Sequence, residues 1–211
     1  MKDESSISRR QFLKGSTLAA AGTVAAINAP SIVRAQAQQS INAVVIGAGG
    51  RGSGAGGDFL NAVKAADVPG KIMGVADIFP ASAKAAGGRW ELPEDKIFSG
   101  FDAYLKALEI PGVNYVILAT PPGFRAVHFK AAVEAGKHVF MEKPVAVDGP
   151  GCRLMYQTYE LSKKKGLKVA AGTQRRHQAD YGETIKRIQD GMIGDLVFLR
   201  AYWVNGGPIW H

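Results

Sequence analysis

Lys143 is the residue whose type and setting most invite chemistry. It stands in Glu142-Lys143-Pro144, directly after the apolar run His138 to Met141. An ammonium at the mouth of a cleft can hydrogen-bond a reacting oxygen, stabilise charge that develops there and, when buried, release its proton more readily. The ordinary reading of a lysine is a solvated surface charge, which fits less well between an apolar strand and a proline. A second set of residues, Gly47, Gly49 and Gly52, has the spacing G-x-G-x-x-G. In a dinucleotide-binding fold these glycines serve a tight turn, the close approach of a pyrophosphate to the backbone, and contact between helix and strand. Amides beyond Gly49 can receive the pyrophosphate at a helix start without a basic side chain, which adds Gly50 and Arg51 to the candidate contacts. Asp77 closes the next apolar run, 25 residues after Gly52. A carboxylate there would accept the adenosine ribose hydroxyls and repel a 2′-phosphate, favouring NAD over NADP. An Asp before Pro80 can equally serve as a helix cap.

These residues need a scaffold that brings them together, and the hydrophobic pattern supplies one. Ile41 to Ile46, Lys71 to Asp77, Ile97-Phe98, Tyr115 to Ala119, His138 to Glu142 and Lys168 to Ala171 read as strands. Helices are expected after Gly52 through Phe59, Leu60 and Val63, from Pro80, over Asp102 to Leu108, from the Thr120-Pro121-Pro122-Gly123 break to Ala135, and over Asp148 to Lys165. The interval from Gly52 to Asp77 exceeds the usual value of about 20, so Asn61 to Gly70 is expected to carry extra loop. Alternation of apolar strands with helices predicts a doubly wound parallel sheet, an α/β Rossmann-like fold, with ligands outside the carboxyl ends of the strands. Gly47 to Gly52, Asp77, Thr120-Pro121 and Glu142-Lys143-Pro144 all stand at such ends.

Composition agrees with a folded protein: 211 residues, 46% hydrophobic and 21% charged. Of the formal net charge of +8, residues 1–37 carry +3 through five basic and two acidic side chains, leaving +5. That excess suits an anionic cofactor, but without a long basic run it gives no case for nucleic acid. The lone Cys152 rules out an internal disulfide and is expected to be a small buried residue. His128, His138, His177 and His211 lack short ligand spacing, so no metal is expected. Lys163, Lys164 and Lys165 suit a solvated helix end.

Ser8-Arg9-Arg10-Gln11-Phe12-Leu13-Lys14 resembles the twin-arginine export signal, and a mild apolar stretch from Gly15 to Ala29 follows it. That stretch is shorter than the roughly 20 residues a bilayer span requires, so no stable membrane anchor is expected. Ala35-Gln36-Ala37 supplies a small-x-small cleavage pattern that places the mature start near Gln38. The expected organisation is a signal peptide over 1–37, a dinucleotide-binding domain over 38–171, and the start of a second domain over 172–211. The expected location is periplasmic or otherwise extracytoplasmic, reached through the twin-arginine machinery.

Ala119-Thr120-Pro121-Pro122, His128, and Ala135-Gly136-Lys137-His138-Val139 followed by Glu142-Lys143-Pro144 resemble the corresponding run of the Gfo/Idh/MocA oxidoreductases. The resemblance extends from about Ile41 to the C-terminus. It implies that Thr120 and Pro121 line the cofactor cleft, that Glu142 and Lys143 adjoin the nicotinamide ribose and substrate, and that Gln174, Arg175 and Arg176 face the cofactor. It implies an NAD-dependent transfer of hydride to or from a sugar or polyol hydroxyl, with Lys143 catalytic and His128 structural or in contact with the cofactor. It also implies a homo-oligomer for a full-length member, and a second α/β domain of which Tyr181 to Asp190 would be a helix and Gly194 to Val204 a strand. One strand cannot form a sheet alone, so the chain is expected to be part of a longer protein, inactive by itself. Two alternatives stay open: a glycoside-cleaving enzyme that oxidises its sugar transiently, and a non-catalytic binding protein that retains the fold.

Overall fold

The computed structural model describes residues 40–202 and 204. The export signal and His211 lie outside them.

Six parallel strands form one sheet: β1 (Ile41–Ile46), β2 (Gly70–Asp77), β3 (Ile97–Ser99), β4 (Tyr115–Leu118), β5 (His138–Met141) and β6 (Val169–Ala171), in the order β3-β2-β1-β4-β5-β6. The strand order reverses between β1 and β4, so their carboxyl ends diverge and open a crevice. Helices α1 (Gly50–Ala65), α2 (Pro80–Arg89), α3 (Ala103–Leu108), α4 (Pro122–Glu134) and α5 (Gly149–Lys164) provide the crossovers, and α6 (Ala179–Gln189) follows β6. In β1 the side chains alternate between two cores. Val44 and Ile46 enter one with Phe129, Val133 and Met141, while Ala43 and Val45 enter the other with Phe59, Val63 and Val75. Both faces of the sheet are thus covered, as continuous apolar strands require.

Local chemistry sets the helix ends. Pro80 and Pro122 occupy first helical positions, where the missing N–H costs no helical bond. Asp148 accepts the Gly151 amide at 2.7 Å and caps α5. Gly136, at φ +73°, closes α4.

Some expectations need correction. Helix α1 begins at Gly50, ahead of Gly52, and runs 16 residues to Ala65. The extra length of the first crossover is therefore mostly helix rather than loop, because Phe59 and Val63 bury against the sheet and hold the later turns in place. The assigned strands Tyr115 to Leu118 and His138 to Met141 each end one residue earlier than expected, although the Ala119 and Glu142 amides still donate to the Ile46 and Leu118 carbonyls at 2.8 and 2.9 Å. Cys152 is exposed, bordering an open groove with Met155, Tyr156, Tyr159 and Val169. Lys165 does not simply extend into solvent: its ammonium donates to the carbonyls of Val133 and Glu134 at 3.1 and 2.8 Å, tying α5 to the end of α4. The strand expected over Gly194 to Val204 does not form among the described residues of that stretch. Its apolar side chains, including Val197 and Phe198, are exposed, and no partner strand accepts its backbone.

Candidate functional site

The carboxyl ends of β1, β2 and β4 border a cleft of about 280 Å³ that includes Gly47, Gly49, Asp77, Thr120, Pro121 and His128. Its walls are strongly aromatic, with Phe79, Phe101, Tyr104 and Phe124. The glycines divide their tasks as the spacing suggests. At Gly47, φ is +91° and a Cβ would stand 2.6 Å from the Thr120 nitrogen; at Gly52 a Cβ would stand 1.7 Å from the Gly47 carbonyl oxygen. Neither position admits a side chain without moving backbone. Gly49 instead faces open space, with nothing within 4 Å of where a Cβ would be. The first amides of α1 lack intrahelical acceptors, which makes this opening a site for an anion.

Asp77 holds the glycine turn from the side. Its Oδ2 accepts the Ala48 amide at 2.6 Å and its Oδ1 accepts the Phe79 amide at 2.9 Å. The ligand and turn readings of this residue are therefore compatible, because each carboxylate oxygen has a second lone pair to offer a hydroxyl.

His128 is 8% exposed, and its Nδ1 lies 3.2 Å from the Thr120 hydroxyl. Tyr104 stands 4.3 Å from it between ring centroids and Phe124 6.1 Å. Burial, with the Arg125 charge adding to it, pushes its pKa down to about 4. At neutral pH it is an uncharged ring lining the cleft.

A second group gathers at the end of β5. Glu142 pairs with Arg51 at 2.8 Å, and Arg51 also reaches Asp58 at 2.7 Å. The Asp58 hydrogen bond raises the Arg51 pKa most, with Glu142 contributing charge. The ion pair joins the first turn of α1 to the residue before Lys143. Lys143 itself is exposed, is absent from the cleft lining, and makes no hydrogen bond or ion pair among the described residues. The described part of the chain leaves its ammonium exposed.

Arg125, which sequence reasoning missed, connects the two groups. It lies in α4, is 2% exposed, and donates to the carbonyls of Thr120, Glu142 and Pro144. Burial lowers its pKa, with the Glu142 charge opposing that shift. Its Nε alone finds no acceptor. Gln174 and Arg175 occupy a 3₁₀ turn after β6 and are exposed. Arg175 bonds Gln178 at 2.7 Å and lies over the Tyr181 ring at 5.1 Å, so the described structure does not bring this pair to the cleft. Among the described residues no group of three or more His, Cys, Asp or Glu side chains is placed to hold a metal ion. No described helix is long and apolar enough to cross a membrane.

The family model GFO_IDH_MocA, described as an oxidoreductase family with an NAD-binding Rossmann fold, matches residues 41–173. A second model, for the twin-arginine translocation pathway signal sequence, matches residues 6–26. The chain is 30% identical over 163 residues to an inositol 2-dehydrogenase of Gluconacetobacter diazotrophicus, a match covering 77% of this chain and 47% of that one. To a glycosyl hydrolase family 109 protein of Streptomyces coelicolor it is 28% identical over 165 residues, covering 76% of this chain and 33% of the relative. Among solved structures, scyllo-inositol dehydrogenase from Lactobacillus casei with bound NAD(H) and scyllo-inositol aligns with a TM-score of 0.62 at 22% identity. That match covers 74% of this chain and 43% of that one, a likeness of fold. The chain thus spans half or less of the length of these relatives.

Proposed function

This chain belongs to the GFO_IDH_MocA oxidoreductase family with an NAD-binding Rossmann domain, and from that premise we propose that it serves an exported oxidoreductase moving hydride between NAD and a sugar or polyol hydroxyl. The observation that carries the reading is the paired geometry of the glycine turn and Asp77. A carboxylate fixed by the Ala48 and Phe79 amides stands beside an open helix start, which suits a ribose diol at one end and a pyrophosphate at the other. The residues fit the dinucleotide, because Gly49 leaves room where its backbone would lie and Thr120, Pro121 and His128 border the same cleft. In this reading Gly47 to Gly52 and Asp77 bind the adenosine half, and Thr120 and Pro121 orient the rest. Lys143 holds or delivers a proton at the substrate oxygen. Bound NAD supplies the hydride acceptor. Asp77 sets a preference for NAD over NADP.

The twin-arginine signal gives the proposal a further constraint. That pathway moves folded proteins, and free NAD is not expected outside the cytoplasm. A cofactor carried along must be held tightly and returned to its starting state in the same site, which favours a coupled oxidation and reduction located in the periplasm. The similarity to a glycosyl hydrolase family 109 protein supports a second reading, in which transient oxidation of a sugar permits elimination at a glycosidic bond. Incubating the purified full-length protein with polyols and with glycosides separates the two. Net change in nicotinamide absorbance with a polyol supports the first, and release of free sugar without net NADH supports the second.

A further inference from the structure

We propose that Arg125 is a positioning residue for Lys143, acting through the backbone on both sides of it; the inference rests on the catalytic role given to Lys143 above. The guanidinium reaches from α4 to the ends of two neighbouring strands. One Nη1 donates both to the Glu142 carbonyl, immediately before Lys143, and to the Pro144 carbonyl, immediately after it, while Nη2 donates to the Thr120 carbonyl at the end of β4. The peptide units flanking Lys143 are thereby referred to Thr120, which borders the dinucleotide cleft. From the other side, Arg51 holds the Glu142 carboxylate at 2.8 Å. Lys143 has no side-chain partner of its own among the described residues, so within them only its backbone fixes where its flexible stem starts.

The choice of residue points the same way. A buried cation is costly unless its donors are matched by acceptors. Arg125 is nevertheless 2% exposed, with carbonyls as its hydrogen-bond partners. A planar fork can hold three carbonyls in one fixed geometry, and a lysine ammonium on its flexible stem does not reproduce that.

The test compares, in the purified full-length protein, the wild type with Arg125→Lys, Lys143→Ala and the double variant. Arg125→Lys keeps the charge; should it fail to fold, Arg125→Gln removes the buried charge and takes its place. We expect Arg125→Lys to lower kcat about 10- to 100-fold, the scale for misplacing a reacting group by about 1 Å, with the NADH dissociation constant changed less than about threefold on the same reasoning. In the Lys143→Ala background the further loss should be under about twofold, because the two residues then act as one unit. Amides of residues 142–147 should exchange faster in Arg125→Lys, and acylation of the Lys143 amine, followed by mass spectrometry, should change in rate. Unchanged kcat, or an equal loss with and without Lys143, overturns the proposal. A full-length wild type with no hydride transfer to any polyol or sugar removes the oxidoreductase reading instead. The exchange and acylation rates then decide the positioning role, and unchanged values in both end it.

Discussion

Replacing Asp77 by Asn should collapse the discrimination between NADH and NADPH, and the structure sets the size of the effect. The carboxylate already accepts two amides, Ala48 at 2.6 Å and Phe79 at 2.9 Å. The substitution keeps one acceptor oxygen and presents an NH₂ group to one of those donors, so one charge-assisted bond is lost, at about 1.5–3 kcal/mol. Ala48 is 5% exposed, so its amide has little access to water as a substitute; a lower midpoint of thermal unfolding is expected. For NADH, losing a carboxylate acceptor for the ribose diol should weaken binding by about 1.5–3 kcal/mol, roughly 10- to 100-fold. For NADPH the change runs the other way, because the repulsion between a carboxylate and a 2′-phosphate disappears; at about 5 Å and an effective dielectric of 20 that repulsion is of order 3 kcal/mol per unit charge. The ratio of the two dissociation constants should therefore shift by about 100-fold or more. Isothermal titration of both dinucleotides against wild type and variant measures it. A ratio unchanged within about threefold would refute the assignment of Asp77 to the ribose and leave it as a turn residue only.

Gly52→Ala should abolish dinucleotide binding and lower the unfolding midpoint, because its Cβ would stand 1.7 Å from the Gly47 carbonyl oxygen and force the turn apart; titration together with a thermal melt checks both. His128 should make stability depend on acid. Its folded pKa is depressed to about 4, so the unfolded chain binds the extra proton first, and stability present above about pH 6.5 is lost as pH falls from there toward 4. The size is up to about 3 kcal/mol, and His128→Gln should remove that slope from denaturant midpoints taken across this range.

Much of the fold was legible because it rests on local pattern. Runs such as Ala43 to Ile46 are fully buried on both faces of a parallel sheet, so they read as unbroken apolar strands. Gly47 and Gly52 were legible because a turn and a close backbone contact leave only glycine possible there. What stayed hidden depends on contacts distant in sequence. Nothing local marks Arg125, whose partners at Glu142 and Pro144 are 17 and 19 residues away. The dual use of Asp77 depends on an amide 29 residues earlier. Cys152 was misread because residue type favours burial, whereas the groove it borders beside Met155 and Tyr156 is open among the described residues. The expected strand near Val197 and Phe198 has strand composition but no neighbour in the described chain, and composition alone cannot supply the other half of a ladder.

On the function proposed above, this family member holds NAD in the cleft between β1, β2 and β4 and keeps it after export. Gentle denaturation of protein recovered from outside the cytoplasm, followed by mass spectrometry of the released small molecules, tests that most directly. NAD or NADH is expected in near-equal amount to the protein, and is expected to be lost in Gly52→Ala. Wild-type protein that is folded and exported but carries no dinucleotide would contradict it.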